Sequence, residues 1–150
     1  MKRSYSLTLF FLFLFWCSGI FIEWFIKIND HFVFILPYLQ KTYSLVCHQE
    51  RNKLLFFSGV ETLTCARCTG IYLGLLTSSL LVVYKLPKWK LHINILLIAA
   101  APMIADVLLT SLNIYSYSKL IAFFTGLLLG SIGFFYLYAG LNNLIIELKQ

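Results

Sequence analysis

The stretch CARCTGIYLGLLTSSLLVVY, residues 65–84, decides the fold. After the arginine at position 67 it carries no charge, and at about 1.5 Å per residue in a helix it is long enough to cross a hydrocarbon core about 30 Å thick. Three further apolar runs of similar length flank it. The sequence therefore predicts an all-α integral membrane protein with a single membrane domain. The predicted spans form a bundle of four transmembrane helices at residues 7–26, 66–84, 91–110 and 119–140.

The composition agrees with a membrane protein. Of the 150 residues, 60% are hydrophobic and only 12% are charged, whereas a soluble domain carries about 25% charged residues. This excludes a soluble enzyme, a DNA-binding domain and a disordered regulator. The net charge of +6 does not indicate nucleic acid, because excess Lys and Arg in a membrane protein mark cytoplasmic loops and lipid headgroups. The expected partner is the lipid bilayer, and the sequence does not identify a protein partner.

Four spans place both termini on the same side of the membrane as the lysine-rich turn at residues 85–90. The basic residues divide equally between the two sides. Short loops beside a span carry the most weight in the positive-inside rule, and they favour cytoplasmic termini. The prediction is a multi-pass protein of the cytoplasmic (inner) membrane of a bacterium, with an outer loop at residues 27–64. Within this loop, residues 31–39 are apolar but too short to cross, so we expect them to lie at the interface.

The first apolar run also resembles a cleaved signal peptide. The preceding residues are basic, and Cys17 and Gly19 are small enough for a cleavage site. The run continues past Gly19, which makes it longer than the usual apolar region of about 7–15 residues. A retained span is the favoured interpretation, and cleavage is the alternative.

Three of the four cysteines are grouped with a histidine in the outer loop and at the start of the second span. Cys65 and Cys68 are three residues apart, so a helix places both sulfurs on one face, where the helix N-terminus and Arg67 favour thiolates. Cys47 and His48 lie in the preceding loop and can fold back. Three sulfurs and an imidazole are a ligand set of tetrahedral zinc, and they also suit copper or iron. We therefore expect a transition-metal site at the outer membrane face.

Two other functions fit the same cysteines. A disulfide, for example between Cys47 and Cys65, would staple the loop to the helix in a structural or lipid-binding subunit. Alternatively, Cys65 and Cys68 would cycle between dithiol and disulfide with a membrane quinone as cofactor, and Cys47 would exchange with them. That plan is similar to the four-helix disulfide-generating quinone reductases and to vitamin K epoxide reductase. The sequence does not decide whether the protein is an enzyme.

Asp106 is unusual because it lies inside a predicted span. A carboxylate there costs at least about 2.5 kcal/mol on insertion scales and by default indicates a functional site. We expect it near the outer surface, at the depth of Cys68. The alternative is an ion pair with Arg67 or Lys119 that ties helices together.

Glycines recur at helical spacing in the second and fourth spans, and such small residues allow two helix backbones to approach closely. TGIYLG at residues 69–74 is echoed by TGLLLG at residues 125–130, which suggests two related helical hairpins. The glycines expected to pack helices together are Gly70, Gly74, Gly126 and Gly130.

These motifs resemble a family of bacterial and archaeal membrane proteins, domain of unknown function 2085. Its pattern is Cys-His-Gln, a following Arg, and Cys-x-Arg-Cys-Thr-Gly-Ile-Tyr-x-Gly, matched here by Cys47, His48, Gln49, Arg51, Cys65, Arg67, Cys68, Thr69, Gly70, Ile71, Tyr72 and Gly74. A later Asp and a basic residue before Thr-Gly correspond to Asp106 and Lys119, although the family has Arg at the second place. The resemblance covers about residues 40–130. It implies a membrane protein with a Cys-His site, supported by Gln49, Arg51, Arg67, Tyr72, Asp106 and Lys119, and it implies no activity.

Overall fold

The computed structural model describes residues 3–57, 59–84 and 92–148. Within these ranges the chain is predominantly helical, with one two-stranded antiparallel sheet. Short 3-10 turns cover Asp30–Ile35 and Arg51–Lys53. The predicted lysine-rich turn lies outside the described residues. The elements are α1 Arg3–Ile20, α2 Ile22–Ile28, α3 Leu36–Ser44, β1 Leu54–Phe57, β2 Val60–Cys65, α4 Ala66–Tyr84, α5 Ile93–Ser111 and α6 Lys119–Glu147.

Helices α4, α5 and α6 are each long and apolar enough to cross a membrane. Helices α1 and α2 pass the same test together and are bent by 66° relative to each other. The described part of the chain therefore has three candidate spans, or four if the bent pair is one broken span. Helix α4 begins and ends where the sequence analysis places its second span, whereas α6 continues beyond residue 140 to Glu147.

The first apolar run is not one straight helix, and the structure shows why it bends. The hydroxyl of Tyr43 donates to the carbonyl of Trp16 at 2.6 Å, in the space left by Gly19. Just beyond, the backbone N–H of Phe21 bonds to the carbonyl of Ser18 rather than one further back. A side chain inserted beside the hydrogen-bond ladder is a known cause of a helix kink. Tyr43 thereby holds α3 against the bend.

Helices α4 and α6 pack with their backbones in direct contact, and glycines make this possible. Gly70 lies against the backbone of Phe123, and Gly74 lies against the backbone of Leu127. Further along, the hydroxyl of Ser78 donates to the carbonyl of Ser131 at 2.9 Å. From each of these contacts to the next, the contacting residues advance by four along α4 and by four along α6. The two helices are therefore parallel.

The contacts are reciprocal between the two glycine motifs. Gly126 lies against the backbone of Arg67, and Gly130 lies against that of Ile71, so each helix offers its glycines to the other. An added Cβ at Gly126 or Gly130 would overlap a backbone carbonyl oxygen of α4. The two Thr-Gly motifs thus occupy equivalent places in the pair. Helix α1 packs antiparallel on α4, and α5 packs antiparallel on α6.

A hairpin of β1 and β2 connects the loop after α3 to α4, and the sequence analysis does not predict it. The strands pair antiparallel from Leu54 with Cys65 to Phe57 with Val60. The turn uses Gly59 at a φ of +81°, a left-handed conformation that glycine adopts without strain. Leu63 of β2 packs into a small core with Ile20 and Tyr43. Cys65, the last residue of the hairpin, directly precedes Ala66, the first residue of α4.

The apolar stretch expected at the interface is divided between two elements. Residues 30–35 form the 3-10 turn, and α3 begins at Leu36 with Pro37 in its first turn, where proline is well tolerated. Phe34 and Tyr38 are largely exposed, as suits side chains at the headgroup level.

Candidate metal centre

Three cysteines, from a loop, a strand and a helix, meet at the N-terminal end of α4. The sulfur atoms of Cys47, Cys65 and Cys68 all lie within 4.8 Å of one another. Cys47 follows α3 and is buried, with 6% of its surface exposed. Cys65 ends β2 and Cys68 lies in the first turn of α4, and both are half-buried. The fold therefore brings together three of the four predicted metal ligands.

The loop that carries Cys47 is held in place by its neighbour Gln49. Gln49 adopts a φ of +48°, which is uncommon for a residue other than glycine and costs free energy. Its side-chain amide donates to the carbonyl of Leu63 at 2.9 Å and to that of Gln40 at 3.3 Å. These bonds tie the loop to both β2 and α3. Gln49 therefore positions Cys47 beside the start of α4.

Hydrogen bonds concentrate negative charge on Cys47. The thiols of Cys65 and Cys68 donate hydrogen bonds to the Cys47 sulfur. These hydrogen bonds lower the pKa of the Cys47 thiol far below its usual value. The backbone N–H of Cys65 donates to the same sulfur at 3.2 Å, and the backbone N–H of Gln49 acts in the same direction. The contact with Cys47 in turn raises the pKa of Cys65. Of the three cysteines, Cys47 is therefore the one whose surroundings most favour the thiolate form.

The three sulfurs fit a single metal ion. In a tetrahedral zinc site each Zn–S bond is about 2.3 Å, which places neighbouring sulfurs about 3.8 Å apart. The observed separations, all within 4.8 Å, need only small side-chain movements to reach that spacing. Thiolates are soft donors that suit zinc, copper(I) and iron. Cys47, Cys65 and Cys68 are the residues that would hold the ion.

His48 is not part of this group. It is exposed on the protein surface, beside the buried Cys47. Side chains of adjacent residues outside a helix tend to point apart, so burial of the Cys47 sulfur favours the outward position of the imidazole. The role of His48 as a fourth ligand stays a prediction.

Asp106 and Arg67 form an ion pair next to the thiols. A guanidinium nitrogen of Arg67 donates to one carboxylate oxygen of Asp106, and the hydroxyl of Tyr115 donates to the other. Asp106 is only 4% exposed. Of the two partners considered for this carboxylate, the structure places Arg67 against it. The pair joins the first turn of α4, between Cys65 and Cys68, to α5.

Tyr115 and Tyr117 are site residues that the sequence analysis missed. The ring centroid of Tyr117 lies 5.9 Å from the Arg67 guanidinium carbon and 5.7 Å from Lys53 Nζ. Burial raises the pKa of Tyr117 to about 12. The sequence did contain a signal for them, namely two tyrosines in the short turn after a predicted span. A buried tyrosine hydroxyl usually finds a hydrogen-bond partner, so these residues could have been expected near a polar site.

The remaining predicted supporting residues lie outside the group of three sulfurs. Arg51 is exposed in its 3-10 turn, and Lys119 is half-buried at the first residue of α6. Tyr72 lies one helical turn after Cys68, and its ring packs against that of Trp16 with centroids 5.9 Å apart. Cys17, the cysteine outside the group, donates to the carbonyl of Tyr72 at 3.5 Å. All four cysteines are free thiols in this structure.

The residues that form this site coincide with a known family model. A model described as predicted membrane protein, DUF2085, matches residues 47–136, more than half of the chain. The chain belongs to the DUF2085 family. The match starts at Cys47 and includes Cys65, Cys68, Arg67 and Asp106, so the family's region contains the whole sulfur cluster and its neighbouring ion pair. This confirms the resemblance found from the motifs.

One curated relative of this DUF2085 protein extends the similarity beyond that region. The uncharacterized protein MJ1492 of Methanocaldococcus jannaschii is 29% identical over 143 residues, covering 91% of this chain and 92% of the relative. At this coverage the similarity includes at least part of the first helix and the segment between it and the matched region. No solved structure matches the chain.

Proposed function

We propose that this DUF2085 protein binds a transition metal ion, zinc above the others, through Cys47, Cys65 and Cys68 at the outer membrane face. The observation that carries the proposal is the meeting of three sulfurs, within 4.8 Å of one another, from a loop, a strand and a helix. Cys47 and Cys65 are 18 residues apart in sequence. Three thiols gathered by separate elements suit a ligand set better than isolated buried cysteines, which are usually inert.

The surroundings of the sulfurs also suit thiolate ligands. Backbone N–H groups of Cys65 and Gln49 donate to the Cys47 sulfur, and such donors orient and stabilise a bound thiolate. A zinc ion would supply a crosslink between the outer loop and α4. We propose that His48 or a water molecule completes the coordination, because a tetrahedral ion takes four ligands and the cluster offers three.

We further propose that the single membrane domain is a bundle of four spans in the cytoplasmic membrane with both termini in the cytoplasm. In support, α4 and α6 run parallel, while α1 and α5 run antiparallel to them. The Ser6 hydroxyl near the start of α1 lies 3.3 Å from that of Tyr138 in the second half of α6. The sulfur cluster lies at the opposite ends of these helices, which corresponds to the outer face in this topology.

Thiol–disulfide chemistry is a second candidate, favoured by the mutual hydrogen bonds of the three thiols. In that reaction two thiols lose two protons and two electrons and form an S–S bond, and a membrane quinone accepts both and becomes a quinol. Cys47 would then exchange with a disulfide between Cys65 and Cys68: its sulfur forms an S–S bond to one of them, the Cys65–Cys68 bond breaks, and the other sulfur leaves as a thiolate. Metal binding and disulfide formation compete for the same sulfurs.

The ligand set can be tested by cobalt substitution. Cobalt(II) added to the purified, reduced protein is expected to give the intense near-ultraviolet absorption of cobalt–thiolate bonds. Each of Cys47→Ser, Cys65→Ser and Cys68→Ser should weaken binding by more than the factor of about 10 to 100 that losing an outer hydrogen-bond partner costs. Cys17→Ser is the matched control and should leave the titration unchanged, because Cys17 lies outside the cluster.

His48→Ala in the same titration decides the fourth ligand. A loss as large as that of Cys68→Ser would make His48 a ligand, and an unchanged titration would leave the three sulfurs with solvent. Wild-type protein without the cobalt–thiolate absorption, or a Cys47→Ser variant that binds cobalt as the wild type does, would contradict the metal proposal.

A further inference from the structure

A second candidate site lies beside the bend between α1 and α2, away from the sulfur cluster. Here the hairpin and α4 enclose an open groove of about 640 Å³, within the range of about 300–1,000 Å³ typical of ligand sites. We call it the apolar groove. Its walls include Leu14, Phe21, Trp24, Leu55, Leu73 and Leu76.

The hydroxyl side chains in the wall of the apolar groove, those of Ser18, Thr62 and Thr69, already have partners. The hydroxyl of Thr62 accepts from the N–H of Leu55 at 3.2 Å and donates to the carbonyl of Thr64 at 2.8 Å. The hydroxyl of Thr69 lies 2.8 Å from that of Thr64 and 3.1 Å from the carbonyl of Cys65. A polar ligand would find little to bond with here. A hydrocarbon chain needs no such partner.

A smaller hollow of about 390 Å³ adjoins the groove, and Val60 and Glu61 line both. We call it the polar hollow. Glu23 and Lys27 also line it, and the Glu23 carboxylate accepts a hydrogen bond from the backbone N–H of Glu61. Two neighbouring carboxylates with one lysine leave one negative charge in excess. Like charges this close favour the binding of a cation.

We propose that the apolar groove and the polar hollow together bind one zwitterionic phospholipid with an ammonium group in its head. The acyl chain lies in the groove between α1 and α4, two helices that belong to candidate spans, where lipid chains are the surrounding solvent. The ammonium lies against Glu23 and Glu61, and Lys27 suits the phosphate. The excess negative charge disfavours an anionic lipid of the same chain length.

Native mass spectrometry tests this site. The purified full-length protein is incubated with equal amounts of phosphatidylethanolamine and phosphatidylglycerol that carry identical acyl chains, and bound lipids are counted per chain. We expect one retained phosphatidylethanolamine. Leu76→Trp fills the groove and should reduce retention at least about tenfold, the scale of discrimination in apolar pockets. Leu81→Trp is its matched control on the same helix, at a position 60% exposed and outside the groove.

The head of the lipid is tested separately by Glu61→Gln, a conservative change that keeps the side-chain volume. It should lower the preference for phosphatidylethanolamine by about threefold, as expected for one partly exposed charge pair. Glu50→Gln, at an exposed carboxylate outside both hollows, should leave the preference unchanged. Equal retention by Leu76→Trp and Leu81→Trp, preferential retention of phosphatidylglycerol, or a co-purified isoprenoid quinone in place of phospholipid would each overturn the proposal.

Discussion

Replacing Gly130 with alanine is expected to destabilise the membrane domain, whereas the same change at Gly133 is not. A Cβ at Gly130 would overlap the carbonyl oxygen of Ile71 on α4, so the two helices would have to move apart. Overpacking of this kind costs about 1–3 kcal/mol in the free energy of unfolding. Among the described residues beyond its own helical turn, no atom lies within 4 Å of a Cβ built at Gly133. There the better helix propensity of alanine should stabilise the protein by up to about 1 kcal/mol.

The measurement is equilibrium unfolding of both variants in mixed micelles of mild detergent and dodecyl sulfate, followed by circular dichroism. Gly74→Ala should behave as Gly130→Ala does, because Gly74 faces the backbone of Leu127 in the reciprocal contact. Gly140→Ala provides a second control, since no described atom lies near a Cβ at that position. Equal stability of Gly130→Ala and Gly133→Ala would contradict the parallel packing of α4 and α6.

Removal of the Asp106 carboxylate is expected to have the larger effect. Asp106→Ala leaves the guanidinium of Arg67 in a site where that side chain is only 21% exposed, and it also removes the partner of Tyr115. Breaking a buried pair by deleting one partner typically costs about 3–5 kcal/mol, because a charge is left without compensation. Unfolding in the same micelles measures this loss.

A surface ion pair of the same protein supplies the control for Asp106→Ala. Glu50 lies 2.5 Å from Lys53 in an exposed pair, so Glu50→Ala should leave the unfolding transition unchanged. The double variant Arg67→Met with Asp106→Leu should recover much of the stability, since apolar residues of similar volume remove the unpaired charge. If Asp106→Ala unfolds like the wild type, the ion pair does not join α4 to α5.

The sequence predicts helix α4 accurately because its evidence is local. An uncharged run of membrane-spanning length and glycines at helical spacing do not depend on distant residues, and α4 begins and ends at the predicted positions. The bend of the first apolar run could not be predicted in this way. It depends on Tyr43, which is more than twenty residues away in sequence and reaches the Trp16 carbonyl only in the folded protein.

The hairpin was not predicted because both strands are short and lie in a segment without regular alternation.

The candidate site was predictable only in part, because one part of it depends on local spacing and another depends on contacts between residues distant in sequence. The short spacing of Cys65 and Cys68 keeps their sulfurs close, although Cys65 ends β2 and does not belong to the helix as expected, whereas the approach of Cys47 depends on the left-handed conformation of Gln49 and its bond to Leu63. The outward position of His48 follows from its adjacency to Cys47, because burial of that sulfur turns the neighbouring imidazole toward the surface.

Elemental analysis tests the central claim most directly. The full-length protein would be purified in detergent without chelator or affinity-metal resin, and metal atoms would be counted per chain beside Cys68→Ser and Cys17→Ser. The sulfur cluster predicts about one metal ion per chain in the wild type and in Cys17→Ser, and none in Cys68→Ser. No metal above background in the wild type, with thiols that react only after a reductant is added, would contradict metal binding and favour disulfide chemistry at the same three cysteines.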